Sequence, residues 1–206
     1  MPNWCNNTLE LTHEDPAMIE RAKAAFADGK FLSEFVPCPQ ELIDTVSGFV
    51  GEEQVALEAK QAANREKYGY ATWYDFCINE WGTKWDVGGN DYSDPQQETP
   101  NDLTISFDSA WAPPVAAMDK LEGLGFSVRL YYYEPGMAFA GVYEDGSDAY
   151  YEYGGMTSEE IANELPDDLD EMFCISEQVA EWEAENAEDE ENIDIDLDGG
   201  LSATNE

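Results

Sequence analysis

The sequence predicts an α+β protein with a ferredoxin-like split βαβ sheet, a helical insert at about residues 40–86 and an acidic, mostly helical C-terminal extension. Three observations support this class. Two strand–helix patterns recur along the chain, short alternating segments after the second indicate a meander, and Arg129 is the last basic residue. We expect a domain over residues 1–155, an acidic helical extension over 156–190 and a mobile acidic tail over 191–206.

The first strand–helix unit spans residues 4 to about 28. Leu9 and Leu11 alternate with polar residues, as in a half-buried strand. Asp15 and Pro16 then provide an N-cap and a proline in the first helical turn, and Gly29 follows the helix.

The second unit begins after a loop of small and polar residues at 88–102. A strand is predicted near 103–107, a helix after Pro113-Pro114, and a strand near 126–132. Two short strands, at about 137–143 and 148–153, complete the meander.

After this meander the chain becomes acidic and helical. Thr157 and Glu160 have the spacing of a capping box, which opens a helix. Ile161, Leu165 and Leu169 then share one helical side, although Pro166 interrupts the pattern.

The charge limits the function. The chain has 206 residues, with 46 Asp and Glu against 9 Lys and Arg, for a net charge of −37. Nine cations cannot form a large basic face, so direct nucleic-acid binding is excluded, as is electrostatic binding to an anionic membrane surface. Residues 130–206 contain 24 acids and no Lys or Arg, so a basic protein surface is the expected partner.

The chain nevertheless has the composition of a folded protein, because hydrophobic residues make up 43% and aromatic residues 13%. No apolar run approaches the roughly 20 residues of a spanning helix, and the N-terminus lacks the pattern of a signal peptide. We therefore expect a cytoplasmic protein with reduced cysteines.

Enzyme signals are weak. His13 is the single histidine, and neither a phosphate-binding glycine loop nor a C-x-x-C pair occurs. We therefore expect a non-enzymatic protein without catalytic residues or a required cofactor.

A weak calcium site is the one metal hypothesis. Asp194, Asp196 and Asp198 match the opening of a calcium loop, but Asn205 occupies the twelfth position, where a bidentate Glu is needed. A flexible acidic tail that binds divalent cations weakly is the better interpretation.

The aromatic block over residues 68–86 is the most distinctive feature of the sequence. Its rings could form a core between the insert and the sheet. The alternative to this preferred interpretation is a pocket in which tryptophan faces and a lysine hold an anionic or planar ligand. The candidate ligand-binding residues are Trp73, Trp81, Lys84, Trp85, Asp86 and Trp111.

Several motifs together resemble one family. They are Met1-Pro2-Asn3-Trp4-Cys5-Asn6-Asn7, Phe35-x-Pro37-x-Pro39, Trp81-Gly82-Thr83-Lys84-Trp85-Asp86, Phe107-Asp108-Ser109-Ala110-Trp111-Ala112-Pro113-Pro114 and Tyr133-Glu134-Pro135-Gly136. In this order they resemble the Api92-like family of phage and plasmid proteins, which includes the plasmid YubB-like proteins. The resemblance covers about residues 1–155 and implies a ferredoxin-like domain, but it supplies no established activity and no catalytic residues.

Three hypotheses of function remain open, and the oligomeric state is not predicted. The first is an acidic binding protein that mimics DNA and inhibits a host defence enzyme that binds nucleic acid, as an anti-restriction protein would. The second is a small-ligand or nucleotide-binding protein that uses the aromatic block. The third is an acidic accessory protein with a structural role. The acidic interaction surface of the first hypothesis comprises Glu159, Glu160, Asp167, Asp168, Asp170, Glu171, Glu181, Glu183 and Glu185.

Overall fold

The computed structural model describes residues 3–89 and 94–198, with side chains described up to residue 186. The chain divides into two compact units between Glu152 and Tyr153. Among the helices in the described ranges, none has the length and apolar character needed to cross a membrane.

The first unit is built on one five-stranded sheet with the order β2-β1-β3-β4-β5, in which every pair of neighbours is antiparallel. The strands are β1 Trp4–Thr12, β2 Asp102–Ala110, β3 Ser127–Glu134, β4 Phe139–Glu144 and β5 Ser147–Glu152.

Three longer helices, two short helical segments and a bent aromatic helix accompany the sheet in the described ranges. They are α1 Pro16–Ala27, α2 Phe31–Phe35, α3 Gln40–Ile43, α4 Gln54–Tyr68, α5 Trp73–Phe76 and α6 Val115–Gly123. A 3-10 turn, Gly51–Glu53, leads into α4, and a π-helix, Cys77–Trp81, continues α5.

The α+β class predicted from the sequence is confirmed. Strands β2 and β3 are parallel to each other, lie on either side of β1 and are joined through α6, which makes one split βαβ unit. The complete ferredoxin-like topology is not confirmed, because β1 and β2 are direct antiparallel neighbours instead of flanking a third strand.

The core of this unit follows from the alternation in the strands. Leu9 and Leu11 of β1 are buried together with Ile19 and Phe26 of α1 and Met118 of α6. Burial of each such side chain contributes about 1.5–3 kcal/mol relative to exposure. The period-2 pattern of the strands and the 3.6-residue pattern of the helices therefore converge on one apolar layer.

The second unit is helical and comprises α7 Ser158–Glu164, α8 Asp167–Phe173 and α9 Ile175–Asp198. Its buried apolar residues include Tyr153, Ile161, Leu165, Leu169 and Ile175. The predicted capping box at Thr157 and Glu160 is confirmed. The expected boundary at residue 190 falls inside α9, and residues 199–206 of the predicted tail lie outside the described residues.

One close approach within the sheet requires glycine. Tyr132 of β3 is fully buried, and its hydroxyl donates a hydrogen bond to Asp148 of β5 at 2.6 Å. Burial, reinforced by this bond, raises the pKa of Tyr132. The hydroxyl crosses β4 at Gly141, where an added Cβ would lie 2.2 Å from the hydroxyl oxygen of Tyr132 and 2.5 Å from the carbonyl oxygen of Ala149.

We expect Gly141→Ala to reduce the free energy of unfolding by about 1–3 kcal/mol, because either the tyrosine or the strand must shift. Gly123→Ala is the matched control, since an added Cβ in α6 meets nothing within 4 Å. There we expect a gain of about 0.5 kcal/mol from reduced chain entropy. Urea denaturation of both variants measures the difference, and equal stabilities would contradict this role of Gly141.

Candidate functional site

An aromatic cavity of about 310 Å³ lies beside the helical insert of the first unit. Its volume is at the lower end of the roughly 300–1,000 Å³ typical of ligand sites. We call it the aromatic pocket, and it is lined by Ser33, Pro37, Cys38, Ile43, Trp73, Cys77, Trp81, Lys84, Trp85 and Asp86.

One wall of the aromatic pocket comes from α5 and the π-helix. Trp73, Cys77 and Trp81 recur every four residues, a spacing that places side chains on one helical face. The wall begins at a capping box in which Thr72 accepts a hydrogen bond from the backbone N–H of Asp75. The four-residue spacing is a signal in the sequence that could have identified Cys77 as a pocket residue.

The opposite wall was not predicted from the sequence. Pro37, Cys38 and Ile43 come from the segment around α2 and α3, about forty residues before the tryptophans. Trp81 joins the two walls, because its indole N–H donates a hydrogen bond to the carbonyl oxygen of Val36 at 2.8 Å. This ring is buried, so its polar atom is satisfied within the fold.

The turn from Gly82 to Asp86 presents the exposed part of the pocket and is fixed at several points. Gly82 has a φ of 89°, and a Cβ there would lie 3.0 Å from the carbonyl oxygen of Pro113. The buried Thr83 hydroxyl donates to the carbonyl oxygen of Ala110 at the end of β2, at 2.9 Å. The backbone of the turn is therefore held against the sheet.

The carboxylate of Asp86 fixes the other end of this turn. It accepts hydrogen bonds from the backbone N–H groups of Leu32 at 2.6 Å and Ser33 at 3.0 Å, in the first turn of α2, and from Val87 at 2.9 Å. A helix leaves such N–H groups without intrahelical partners, so the carboxylate acts as a cap supplied from a distant segment. Asp86 was predicted as a ligand-binding residue, and the structure gives its oxygens these internal partners.

Lys84 lines the pocket, and its ammonium group lies over two aromatic rings. Its Nζ lies 4.6 Å from the ring centroid of Trp85 and 5.9 Å from that of Tyr74. Within the described ranges, no carboxylate lies within 4.0 Å of this Nζ. The ammonium group thus adjoins the cavity with cation–π contacts and no ion pair there.

Trp85 forms the outer edge of the pocket, with 41% of its surface exposed. Its ring also lies 6.0 Å from that of Trp4, centroid to centroid. Trp111 does not line the cavity. It lies just beyond β2 with 52% of its surface exposed and a φ of 74°, and its backbone N–H donates to the carbonyl oxygen of Asn3.

Both cysteines of the pocket have thiols that resist ionisation. Burial raises the pKa of the Cys38 thiol to about 11. Burial, with a smaller electrostatic contribution from Cys38, raises the pKa of Cys77 to about 12. Because the thiolate is the nucleophile, these groups act as apolar wall atoms at neutral pH.

We expect iodoacetamide at about pH 8 to alkylate the exposed Cys174 at least tenfold faster than Cys38 or Cys77. The raised pKa values keep the two pocket thiols protonated at that pH, and their labelling should accelerate as the pH rises toward 11. Peptide mass spectrometry of a time course measures the rates, with urea-denatured protein as the reference. Equal labelling of Cys77 and Cys174 in the folded protein would contradict the buried environment.

Two carboxylates of the predicted acidic surface support the start of α7. Glu160 completes the capping box, and hydrogen bonds from the backbone N–H and hydroxyl of Thr157 lower its pKa. Glu183 of α9 accepts hydrogen bonds from the backbone N–H and hydroxyl of Ser158, at 3.1 and 2.7 Å. Glu160 thus caps α7 locally, whereas Glu183 joins α9 to the start of α7.

Asp170 caps α9 in the same way, because it accepts a hydrogen bond from the backbone N–H of Ser176 at 2.7 Å. Asp168 is exposed and accepts from the backbone N–H of Leu169 at 3.1 Å. The remaining five predicted carboxylates are exposed, and no hydrogen bond or ion pair among the described residues reaches them. They are Glu159, Asp167, Glu171, Glu181 and Glu185.

The side chains of the predicted calcium site lie outside the described residues. They are those of Asp194, Asp196 and Asp198, which belong to α9. Among the side chains that are described, no group of three or more His, Cys, Asp or Glu is placed to hold a metal ion.

A larger cavity of about 640 Å³ near His13 is polar, with Thr12, Asn101 and Asp102 among its lining residues. The His13 ring is held internally, because its Nδ1 accepts a hydrogen bond from the backbone N–H of Asp15 at 2.9 Å. Phe126 packs against the same ring at 4.8 Å. The aromatic pocket is therefore the stronger candidate site.

These features define an α+β protein with an aromatic pocket and an acidic helical unit. No protein-family model matches the chain, and no curated protein matches it. One solved structure is similar, described as the protein api92 from Yersinia pseudotuberculosis, of the DUF1281 family. It is 14% identical, and the match covers 75% of this chain and 99% of that chain with a TM-score of 0.39. The similarity concerns the fold alone, and neither an origin nor a function follows from it.

Proposed function

We propose that the protein is a non-enzymatic binding protein that holds a small planar molecule in the aromatic pocket. The proposal rests on a cavity of about 310 Å³ that has tryptophan rings in one wall and at its outer edge. The cavity is open at this outer edge, where Trp85 is partly exposed. Tryptophan rings offer large apolar faces, and planar ligands stack on them at low entropic cost.

The fixed turn beside the pocket supports this proposal. The contacts of Gly82, Thr83 and Asp86 hold the backbone in place, so Lys84 and Trp85 are positioned before any ligand arrives. A site that is already ordered loses little conformational entropy on binding, and more of the contact energy becomes affinity.

The neutral fluorescent compound N-phenyl-naphthylamine tests this proposal. We expect saturable binding with enhanced fluorescence, and we expect Trp85→Ala to weaken it about tenfold, because stacking adds about 0.5–1.5 kcal/mol to the burial of the faces. Trp111→Ala is the matched control, since Trp111 is also a partly exposed tryptophan but lies outside the cavity lining.

The control should bind like the unmodified protein, and circular dichroism should show that both variants remain folded. If the compound does not bind, or if the two variants weaken binding equally, the proposed function is wrong.

A second candidate function is binding to a basic protein surface through the second unit, as a DNA mimic would bind a defence nuclease. The specific observation is the five exposed carboxylates without internal partners, in a segment that lacks cations. Duplex DNA carries about one negative charge per 1.7 Å of axis, which dense carboxylates can imitate. The phage or plasmid origin and the cytoplasmic location of an Api92-like protein would give such inhibition a purpose.

Neutralising these five carboxylates tests the second candidate. We expect the full-length protein to inhibit DNA cleavage by at least one member of a panel of restriction nucleases, and the inhibition to weaken with salt. The variant should inhibit at least tenfold less. It carries Glu159→Gln, Asp167→Asn, Glu171→Gln, Glu181→Gln and Glu185→Gln.

The matched control removes the same charge from exposed acids of the first unit. It carries Glu20→Gln, Glu52→Gln, Glu53→Gln, Glu66→Gln and Asp119→Asn. If the control loses as much inhibition as the variant of the second unit, net charge matters and the second unit has no special role. If the unmodified protein inhibits no nuclease of the panel, the hypothesis of DNA mimicry is contradicted.

A further inference from the structure

We propose that the aromatic pocket selects planar ligands that carry a single anionic group, with Lys84 as the specificity-determining residue. This inference rests on the proposed function, because it names the ligand class of the same pocket. Candidate ligands are aromatic carboxylates or sulfonates.

The position of Lys84 carries the inference. Lys67 pairs with Glu41 at 2.9 Å and Lys120 pairs with Glu80 at 3.4 Å. Lys84 lines a cavity and instead rests on Trp85 and Tyr74. The chain contains 46 acids, yet within the described ranges no carboxylate oxygen lies within 4.0 Å of the Lys84 Nζ. The charge of this ammonium group is therefore available to a bound anion.

The other polar groups of the pocket have internal partners. The indole N–H of Trp81 donates to Val36, and the carboxylate of Asp86 accepts from the backbone of α2. The thiols of Cys38 and Cys77 stay protonated, so they are weak partners. Orientation of a ligand therefore depends mainly on stacking and on the ammonium group.

The charge of the whole protein limits the ligand to one negative charge. Repulsion from a net charge of −37 opposes every added anionic group, although salt screens it over about 8 Å at physiological ionic strength. Lys84 is the one cation among the residues that line the described pocket. It can offset one anionic group close by, but not the several charges of a nucleoside triphosphate.

A matched pair of probes separates charge from stacking. Anilinonaphthalene sulfonate carries one sulfonate, and N-phenyl-naphthylamine has the same skeleton without it. We expect Lys84→Gln to weaken binding of the sulfonate about five- to tenfold, as loss of a charge-assisted contact does. Binding of the neutral compound should change less than about twofold. Lys30→Gln is the control, because it removes the same charge outside the pocket lining.

The outcomes distinguish the two proposals. If the neutral probe does not bind the unmodified protein, the proposed function fails, and this inference fails with it. If the neutral probe binds, but Lys84→Gln changes the affinity for both probes equally or for neither, the proposed function stands and the proposed selection of anionic ligands is wrong. Loss of sulfonate binding in Lys30→Gln to the same extent would also overturn the role of Lys84. Selective loss in Lys84→Gln alone supports it.

Discussion

The hydrogen bonds of the Asp86 carboxylate join two segments that the sequence separates by more than fifty residues. On one side are the N–H groups of Leu32 and Ser33 at the start of α2, and on the other is the turn that carries Lys84 and Trp85. A charged cap of this kind contributes about 0.5–2 kcal/mol. Without it, the N–H groups of Leu32 and Ser33 would lose these partners, and the turn would lose its hydrogen bonds to α2.

The same chemistry recurs throughout this acidic chain. Asp15 accepts from the N–H of Ala17 at the start of α1, and the buried Glu134 accepts from the N–H groups of Gly136 and Met137 in the turn after β3. Asp170 and Glu183 do so in the second unit. With only nine cations, carboxylates find their partners among backbone N–H groups, which carry partial positive charge at helix N-termini. Part of the acidity is therefore structural.

Local patterns in the sequence predicted the local structure. The alternation around Leu9, the proline at the start of α1 and the capping box at Thr157 each concern neighbouring residues, and each is present in the structure. The direct pairing of β1 with β2 was not predictable in this way, because about ninety residues separate the strands and no local signal sets their order.

The residues of the pocket also separate into those that the sequence predicts and those that it does not. Its tryptophans and Lys84 were predicted because they cluster in sequence, whereas Cys38 and Ile43 reach it only through tertiary packing. The aromatic block therefore contributes both to the core and to the lining of a cavity. Trp81 is buried like a core residue, and its indole N–H donates a hydrogen bond to Val36. Trp85, four residues further along, is 41% exposed at the rim of the pocket.

The aromatic pocket opens at the protein surface, and aromatic rings that line open space forfeit packing contacts there. A flexible loop beside the pocket could collapse onto the tryptophans and recover those contacts. The turn from Gly82 to Asp86 cannot do so, since Thr83 ties it to β2 and Asp86 ties it to α2. The contacts that order the turn thus also keep the space open. The proposed ligand site rests on this combination of a tethered turn, aromatic walls and a lysine at the edge of the cavity.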